Sequence, residues 1–234
     1  MARSVRTRLI DVTRPLGPKT FVFPGDPPIH MVTVLDPGKG DPARVTRLSL
    51  GSHAGTHVDA PCHLPGLVGA VDALSLDALI GEAYVVMVRG GLFGRREALA
   101  LPKRIPPRLL LAGAPILSQN GARTLVQRGI RLLGTDATSI DPHDDDAMPA
   151  HRVLLSAGVV VVECLELSQA PAGHCDLIAL PLRIPGADGA PARVVLRVRA
   201  DAVPGLPPAS RASTPRSRRV STRRQRRGGT PPTR

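Results

Sequence analysis

The chain contains no tryptophan, one tyrosine and three phenylalanines, an aromatic content of 2% in 234 residues. Core volume therefore has to come from Val, Leu, Ile and Ala, and aromatic recognition surfaces are scarce. Cysteine is sparse as well: Cys62, Cys164 and Cys175 form an odd set, too few for a disulfide framework in a chain of this length, which favours a reducing, cytoplasmic setting. No apolar run approaches the roughly 20 residues that span a bilayer, and Arg3, Arg6 and Arg8 are not followed by an apolar stretch of signal-peptide length, so no membrane partner is expected. Acid is absent from Val203 to Arg234, where nine of the 31 basic residues lie. Without that tail, 22 basic residues face 19 acidic ones, and the formal charge of +12 falls to about +3.

The tail sets arginines among Ser, Thr, Pro and Gly, with too few apolar groups to offset the entropy of ordering. Residues 203–234 are expected to be disordered, and residues 1–202 to form one domain with 42% hydrophobic content over the chain as its source of core. Arginines neutralise phosphates and release counterions, so nucleic-acid binding through the tail is a rival reading. The tail has no interleaved aromatics and no recognisable fold, and nucleic acid is not the expected partner.

Runs rich in β-branched and aliphatic residues predict strands at 44–50, 84–89, 108–112, 130–134, 159–163, 177–182 and 193–198. A helix is predicted over 119–128, with Ser118 as its N-cap, Ala122, Leu125 and Val126 as its apolar stripe and Gly129 closing it. A second helix is predicted over 148–157. The order strand, helix, strand across 130–163 has the length of a βαβ unit, so the architecture is mixed α/β. The many glycines and prolines break the body into short elements joined by loops, where site residues tend to sit.

The segment from Ser52 to His63 puts His53, His57, His63 and Asp59 within eleven positions. Imidazole nitrogen and carboxylate oxygen suit zinc, manganese or iron, and a catalytic site needs about three protein ligands with one position left open. Gly55 and Pro61 oppose a continuous helix here. A straight strand would hold His53 and His57 roughly 13 Å apart, too far for one ion. A bend at Gly55 brings the two rings together with Asp59, and Pro61 sets the exit that turns His63 back. Cys62 is read as a small buried residue facing away. Glu163 ends an apolar strand, where a carboxylate costs desolvation unless a charge meets it. On the residues alone, His151 on the preceding helix either returns to the same sheet edge as Glu163 or is a surface histidine, with Glu163 in an ordinary salt bridge. Arg44 and Arg47 read as a solvated strand face rather than as contacts to an anionic substrate.

The segment from Ser52 to His63 resembles, position by position, the His-x-Gly-Thr-His-x-Asp-x-Pro-x-His signature of the bacterial kynurenine formamidase and cyclase family. The likeness extends to Phe23-Pro24-Gly25-Asp26, which resembles the family's Trp-Pro-Gly-Asp, and to residues 134–142, which resemble its Gly-x-Asp-x-x-Ser-x-Asp-Pro loop. It spans roughly residues 8 to 200. The resemblance implies a metal-dependent hydrolase in a compact α/β domain with a mixed, barrel-like β core flanked by helices. It implies two divalent ions, zinc or manganese. His53, His57 and Asp59 would hold one and Asp59, His151 and Glu163 the other, with Asp59 bridging. His63 is implied as the proton donor and acceptor, Phe23 as a substrate contact, and a homodimer or larger homo-oligomer as the assembly. The substrate implied is a small-molecule amide, first an aryl formamide such as N-formylkynurenine. Phe23 replaces an indole N–H with a ring that can only stack. That change keeps a cyclic-amide hydrolase of the isatin type, or a cyclase of secondary metabolism, as alternatives.

Overall fold

The computed structural model describes residues 6–200, so the Arg-rich tail lies outside the described residues. Its strands in chain order are β1 (Thr7–Asp11), β2 (His30–Leu35), β3 (Val45–Ser49), β4 (His57–Asp59), β5 (Ile80–Met87), β6 (Leu92–Phe93), β7 (Arg108–Ala112), β8 (Ile116–Leu117), β9 (Leu132–Thr135), β10 (Val160–Glu163), β11 (Gly173–Pro181) and β12 (Gly189–Arg199). The helices are α1 (Leu76–Leu79), α2 (Arg95–Ala100), α3 (Gln119–Gln127) and α4 (Pro149–Ser156).

Strands β12, β11, β5, β7, β9, β10 and β4 are hydrogen-bonded in that order, and β4 returns to β12. Seven strands thus close a mixed barrel, with β1 added antiparallel to β12 outside the ring. Closure removes the free edges that an open sheet would leave. The run β5, β7, β9, β10 is parallel. Of these, β7, β9 and β10 are buried on both faces and largely aliphatic, as strands covered on both sides require. Leu110, Leu132, Val162, Leu177 and Leu196 alternate into one core cluster, to which all seven barrel strands contribute. Their neighbours Leu109, Leu111, Leu133 and Val161 point the opposite way and pack with Leu125 of α3 and Leu154 of α4. Two apolar layers on either side of one sheet are the stabilising core.

The expected βαβ unit is present: β9 and β10 are adjacent and parallel, with α4 between them in sequence. The Ser118 hydroxyl accepts from the Gly121 amide at the start of α3 at 3.0 Å, and Gly129 takes φ 78° just past its end. Strand ends differ from expectation where neighbours extend the pairing. β12 begins at Gly189 rather than 193 because its first residues pair with β4 across the closing seam. Strands β1, β2, β4, β6 and β8 and helices α1 and α2 have no counterpart among the predicted elements. β4 is three residues long, His-Val-Asp, and its strand state comes from pairing on both sides rather than from local propensity. β2 and β3 form a separate two-stranded ribbon, every residue of which is exposed.

Candidate active site

The local chain behaves as the Gly55 argument requires. Residues 53–56 turn, Gly55 takes φ 63°, and β4 starts at His57. A Cβ at position 55 would lie 2.9 Å from Leu16 Cδ1, the tip of an exposed side chain that can move aside, so the positive φ is what calls for glycine there. Val58 enters the barrel core, which sends His57 and Asp59 to the other face of β4. Glu163 is the register partner of His57 on β10. Pro61 opens a single 3-10 turn, Pro61–His63, which brings the His63 ring to within 4.2 Å of the His53 ring between centroids. From the other side α4 supplies His151.

His53, His57, Asp59, His63, His151 and Glu163 therefore meet at one place on the outer face of the barrel. His57, Asp59 and His151 are 2%, 1% and 1% exposed. Asp59 is central. Its Oδ1 lies 2.9 Å from His53 Nδ1 and 3.2 Å from His57 Nε2. Its Oδ2 lies 3.6 Å from His151 Nε2, which is 3.1 Å from Glu163 Oε1. Two sets of three donor atoms result, His53/His57/Asp59 and Asp59/His151/Glu163, with Asp59 in both. Ligand atoms about 2.0–2.1 Å from a tetrahedral ion are about 3.3 Å from one another, the spacing seen here. Asp59 Oδ2 has no hydrogen-bond partner although it is buried. A buried carboxylate oxygen left bare is costly, and a cation would satisfy it. The residues present thus fit a divalent metal.

The outward nitrogens of the rings are tied down. His57 Nδ1 lies 2.8 Å from the Gly55 carbonyl and acts as its donor. His151 Nδ1 lies 2.8 Å from Asp141 Oδ2, while the same carboxylate accepts from the Ala150 and His151 amides, both at 2.9 Å. Glu163 Oε1 also accepts from the Ile140 amide at 2.8 Å. His53 Nε2 lies 3.0 Å from Asp188 Oδ2. Asp141 sits in the loop that the sequence singles out, without a task assigned to it. Asp188 carries no local signal at all, because its neighbours are 135 residues away in sequence.

Burial opposes charge on every imidazole here, and the carboxylates decide the result. Against burial, Asp59 and Asp188 raise the His53 pKa to about 9. His57 is raised by Asp59 and Glu163, and His151 well above its ordinary value by Glu163, Asp141 and Asp59. Asp59, despite complete burial, is held well below the carboxylate range by the surrounding rings, His57 first. His63 is the exception: burial pushes it down, and although Asp59 pulls it back up, the neighbouring His53 and His151 add to the fall, which favours its neutral, proton-accepting form.

A cavity of about 360 Å³ opens over the cluster, with His53, His57, His63 and His151 in its floor. Phe21, Phe23, Pro24 and Met148 form an apolar wall. Phe23 meets His143 edge-on at 5.0 Å, and Phe21 stacks on the same ring at 6.4 Å. Phe21 and His143 were not anticipated. Cys62 faces the Ala187 carbonyl and joins neither ligand set, and Arg44 pairs with Asp36 at 3.7 Å away from the cavity. No helix among the described residues is long and apolar enough to cross a membrane.

A sequence profile described as "Putative cyclase" matches residues 10–105. The kynurenine formamidase of Salinibacter ruber (strain DSM 13855 / M31) is 36% identical over 205 residues, covering 81% of this chain and 97% of that protein. Among solved structures, one of a potential metal-dependent hydrolase with cyclase activity superposes with a TM-score of 0.71 at 26% identity, covering 82% of this chain and 98% of the other. Isatin hydrolase A from Labrenzia aggregata, bound to benzyl benzoate, gives 0.72 at 25% identity, covering 82% and 94%.

Proposed function

Because the chain belongs to the kynurenine formamidase and cyclase family, we propose that it is a metal-dependent hydrolase that cleaves the C–N bond of a small amide, most directly an aryl formamide such as N-formylkynurenine. The observation that carries this reading is the bare, fully buried Asp59 Oδ2 among three imidazoles and Glu163, directly beneath the cavity. His53, His57 and Asp59 would hold one divalent ion and Asp59, His151 and Glu163 a second, zinc or manganese. A bound divalent cation supplies Lewis acidity, polarising a carbonyl and acidifying a water.

The chain's own groups do the rest. His63 faces the cavity uncharged, takes the proton of the attacking water and returns it to the leaving nitrogen. Phe23 and Phe21 stack on the aryl group and keep water from that side of the cavity. The same flat apolar wall suits a fused lactam ring, so ring opening of an isatin-type substrate is the second reading. The test is hydrolysis of N-formylkynurenine and of isatin by protein stripped of metal and reloaded with zinc or manganese. Turnover of the formamide restored by metal supports the first reading, and isatin opening alone moves the function to a lactam hydrolase. Turnover undiminished in the stripped protein would overturn the metal dependence.

The assembly we propose is a homo-oligomer in the cytoplasm, with no membrane or nucleic-acid partner. The β2–β3 ribbon supports self-association. An isolated two-stranded hairpin is marginal in water, and this one exposes Met31, Val32, Val34, Leu35, Val45 and Leu48. Residues 30–49 number about as many as one side of a standard interface, roughly 20–30 residues. The same chain carries a groove lined in part by Leu74, Leu76, Leu79 and Leu180, which a second copy's ribbon would be expected to cover. Light scattering should give a dimer or larger species. Met31→Asp with Leu48→Asp, which charges one cross-strand pair, should give monomer, and a monomeric wild type would overturn self-association.

A further inference from the structure

Three imidazoles converge on Asp59, and two of them follow one plan. His57 and His151 turn Nε2 inward, and each gives Nδ1 to an acceptor behind it, the Gly55 carbonyl and the Asp141 carboxylate. His53 is the inverse. Its Nδ1 is the atom beside Asp59 Oδ1, and its Nε2 points away, 3.0 Å from Asp188 Oδ2. An imidazole that offers one nitrogen to a metal must carry its proton on the other, and the acceptor of that proton selects the tautomer and fixes the ring plane.

We propose that Asp188 is the positioning carboxylate of this site, holding His53 as the Nε2–H tautomer so that Nδ1 is free for a metal, and steadying His63 from the same oxygen. The proposal rests on the metal reading above. Asp188 Oδ2 lies 3.7 Å from His63 Nδ1 as well as 3.0 Å from His53 Nε2. Asp188 is not among the residues that line the cavity, so it acts through the two rings and not on substrate. Its own place is built. The nearby Ser52 side chain helps to hold its carboxyl pKa down, and its carbonyl accepts from the Ala60 amide at 2.8 Å across the barrel seam. The next residue is Gly189, where a Cβ would stand 2.7 Å from His53 Cε1. Asp188-Gly189 thus supplies the acceptor for His53 and the space in which its ring lies.

The same three residues, His53, His63 and Asp188, also satisfy the spacing of a metal-ligand set, so the test must separate a positioning acceptor from a ligand. The Asp188 side chain is 45% exposed, so its removal leaves the core intact. Full-length wild type, Asp188→Ala and Asp188→Asn are loaded with zinc for stoichiometry and chelator competition, and with cobalt for the visible spectrum. Wild type, Asp188→Ala and Asp188→Asn should all bind the same number of zinc ions at saturation. Asp188→Ala should weaken zinc binding by about 10–100-fold, shift the cobalt bands and lower kcat more than it raises KM. Asp188→Asn retains an acceptor oxygen and should recover most of the affinity and the wild-type cobalt spectrum. Loss of one zinc equivalent at saturation in Asp188→Ala would make Asp188 a ligand and overturn the proposal, as would unchanged affinity and spectrum. A wild type that binds no zinc would instead sink the metal reading, a result distinct from failure in the variants alone.

Discussion

Asp59 and His63 lie four residues apart, and the roles proposed for them are opposite. Asp59 is an anion in complete burial, tolerated because imidazoles surround it, and its uncovered Oδ2 marks where positive charge belongs. His63 is half-buried, its pKa lowered chiefly by that burial, and it lines the cavity. Asp59→Asn keeps the shape and removes the charge common to both donor sets. Elemental analysis should therefore show at least one metal equivalent lost, and full occupancy would rule out the bridging role. His63→Ala should keep wild-type metal content and lose about 10²–10⁴-fold in kcat, the usual share of a general acid–base. Retained activity in that variant would remove His63 from the proton path. Both residues stand out in sequence because three histidines and a carboxylate crowd into residues 53–63, and the structure brings these side chains together. Asp188 was not, since nothing near it in sequence asks for a carboxylate.

At the scale of elements, α4 shows how a functional ring is held by secondary structure. Its N-cap residue, Met148, provides no side-chain acceptor and sits in the left-handed region at φ 44°. Asp141 supplies the missing cap from the preceding loop, taking two amides of the first turn and the His151 ring together. Asp141→Ala would leave three buried donors unmet. Loss of a cap and of charge-assisted hydrogen bonds should cost about 2–4 kcal/mol, or roughly 5–15 °C in Tm for a chain of this size. Calorimetry together with zinc stoichiometry checks this, and an unchanged Tm would mean that the loop does not cap the helix. A milder case is the Asp11–Arg193 pair that clasps β1 to β12. The Arg193 guanidinium lowers the Asp11 pKa. Its contribution is therefore present above the unfolded carboxylate value of about 3.9 and is lost as pH falls below it. Being exposed, the pair contributes little. Asp11→Asn should lower Tm slightly at pH 7, and a denaturation series run down in pH should show the difference vanish. The parallel strands and α3 were legible because apolar runs and the Ser118 cap act locally. The ribbon β2 and the seam strand β4 were not, because their pairing partners, not their own residues, make them strands.

The whole molecule explains why residues so far apart in sequence share one site. Closure of β4 between β10 and β12 sets His57 opposite Glu163 and brings Asp188 behind His53, while the βαβ crossover returns His151 to the same edge. Pattern reading yields the crossover but not the closure, since closure depends on three-residue pairings without a propensity signature. The barrel therefore carries, at its seam, two buried carboxylates and three imidazoles whose mutual attractions only partly offset their desolvation. A ligand that binds the folded state alone stabilises it by RT ln(1 + [L]/Kd), about 2.7 kcal/mol at 100 times Kd for each site. At about 2–4 °C per kcal/mol, reloading stripped protein with zinc or manganese should raise Tm by roughly 5–10 °C per occupied site. His63→Ala should show the full rise, because it keeps every proposed ligand, and Asp59→Asn little of it. Equal rises in wild type and Asp59→Asn would mean that the metal stabilises the chain from somewhere other than the seam.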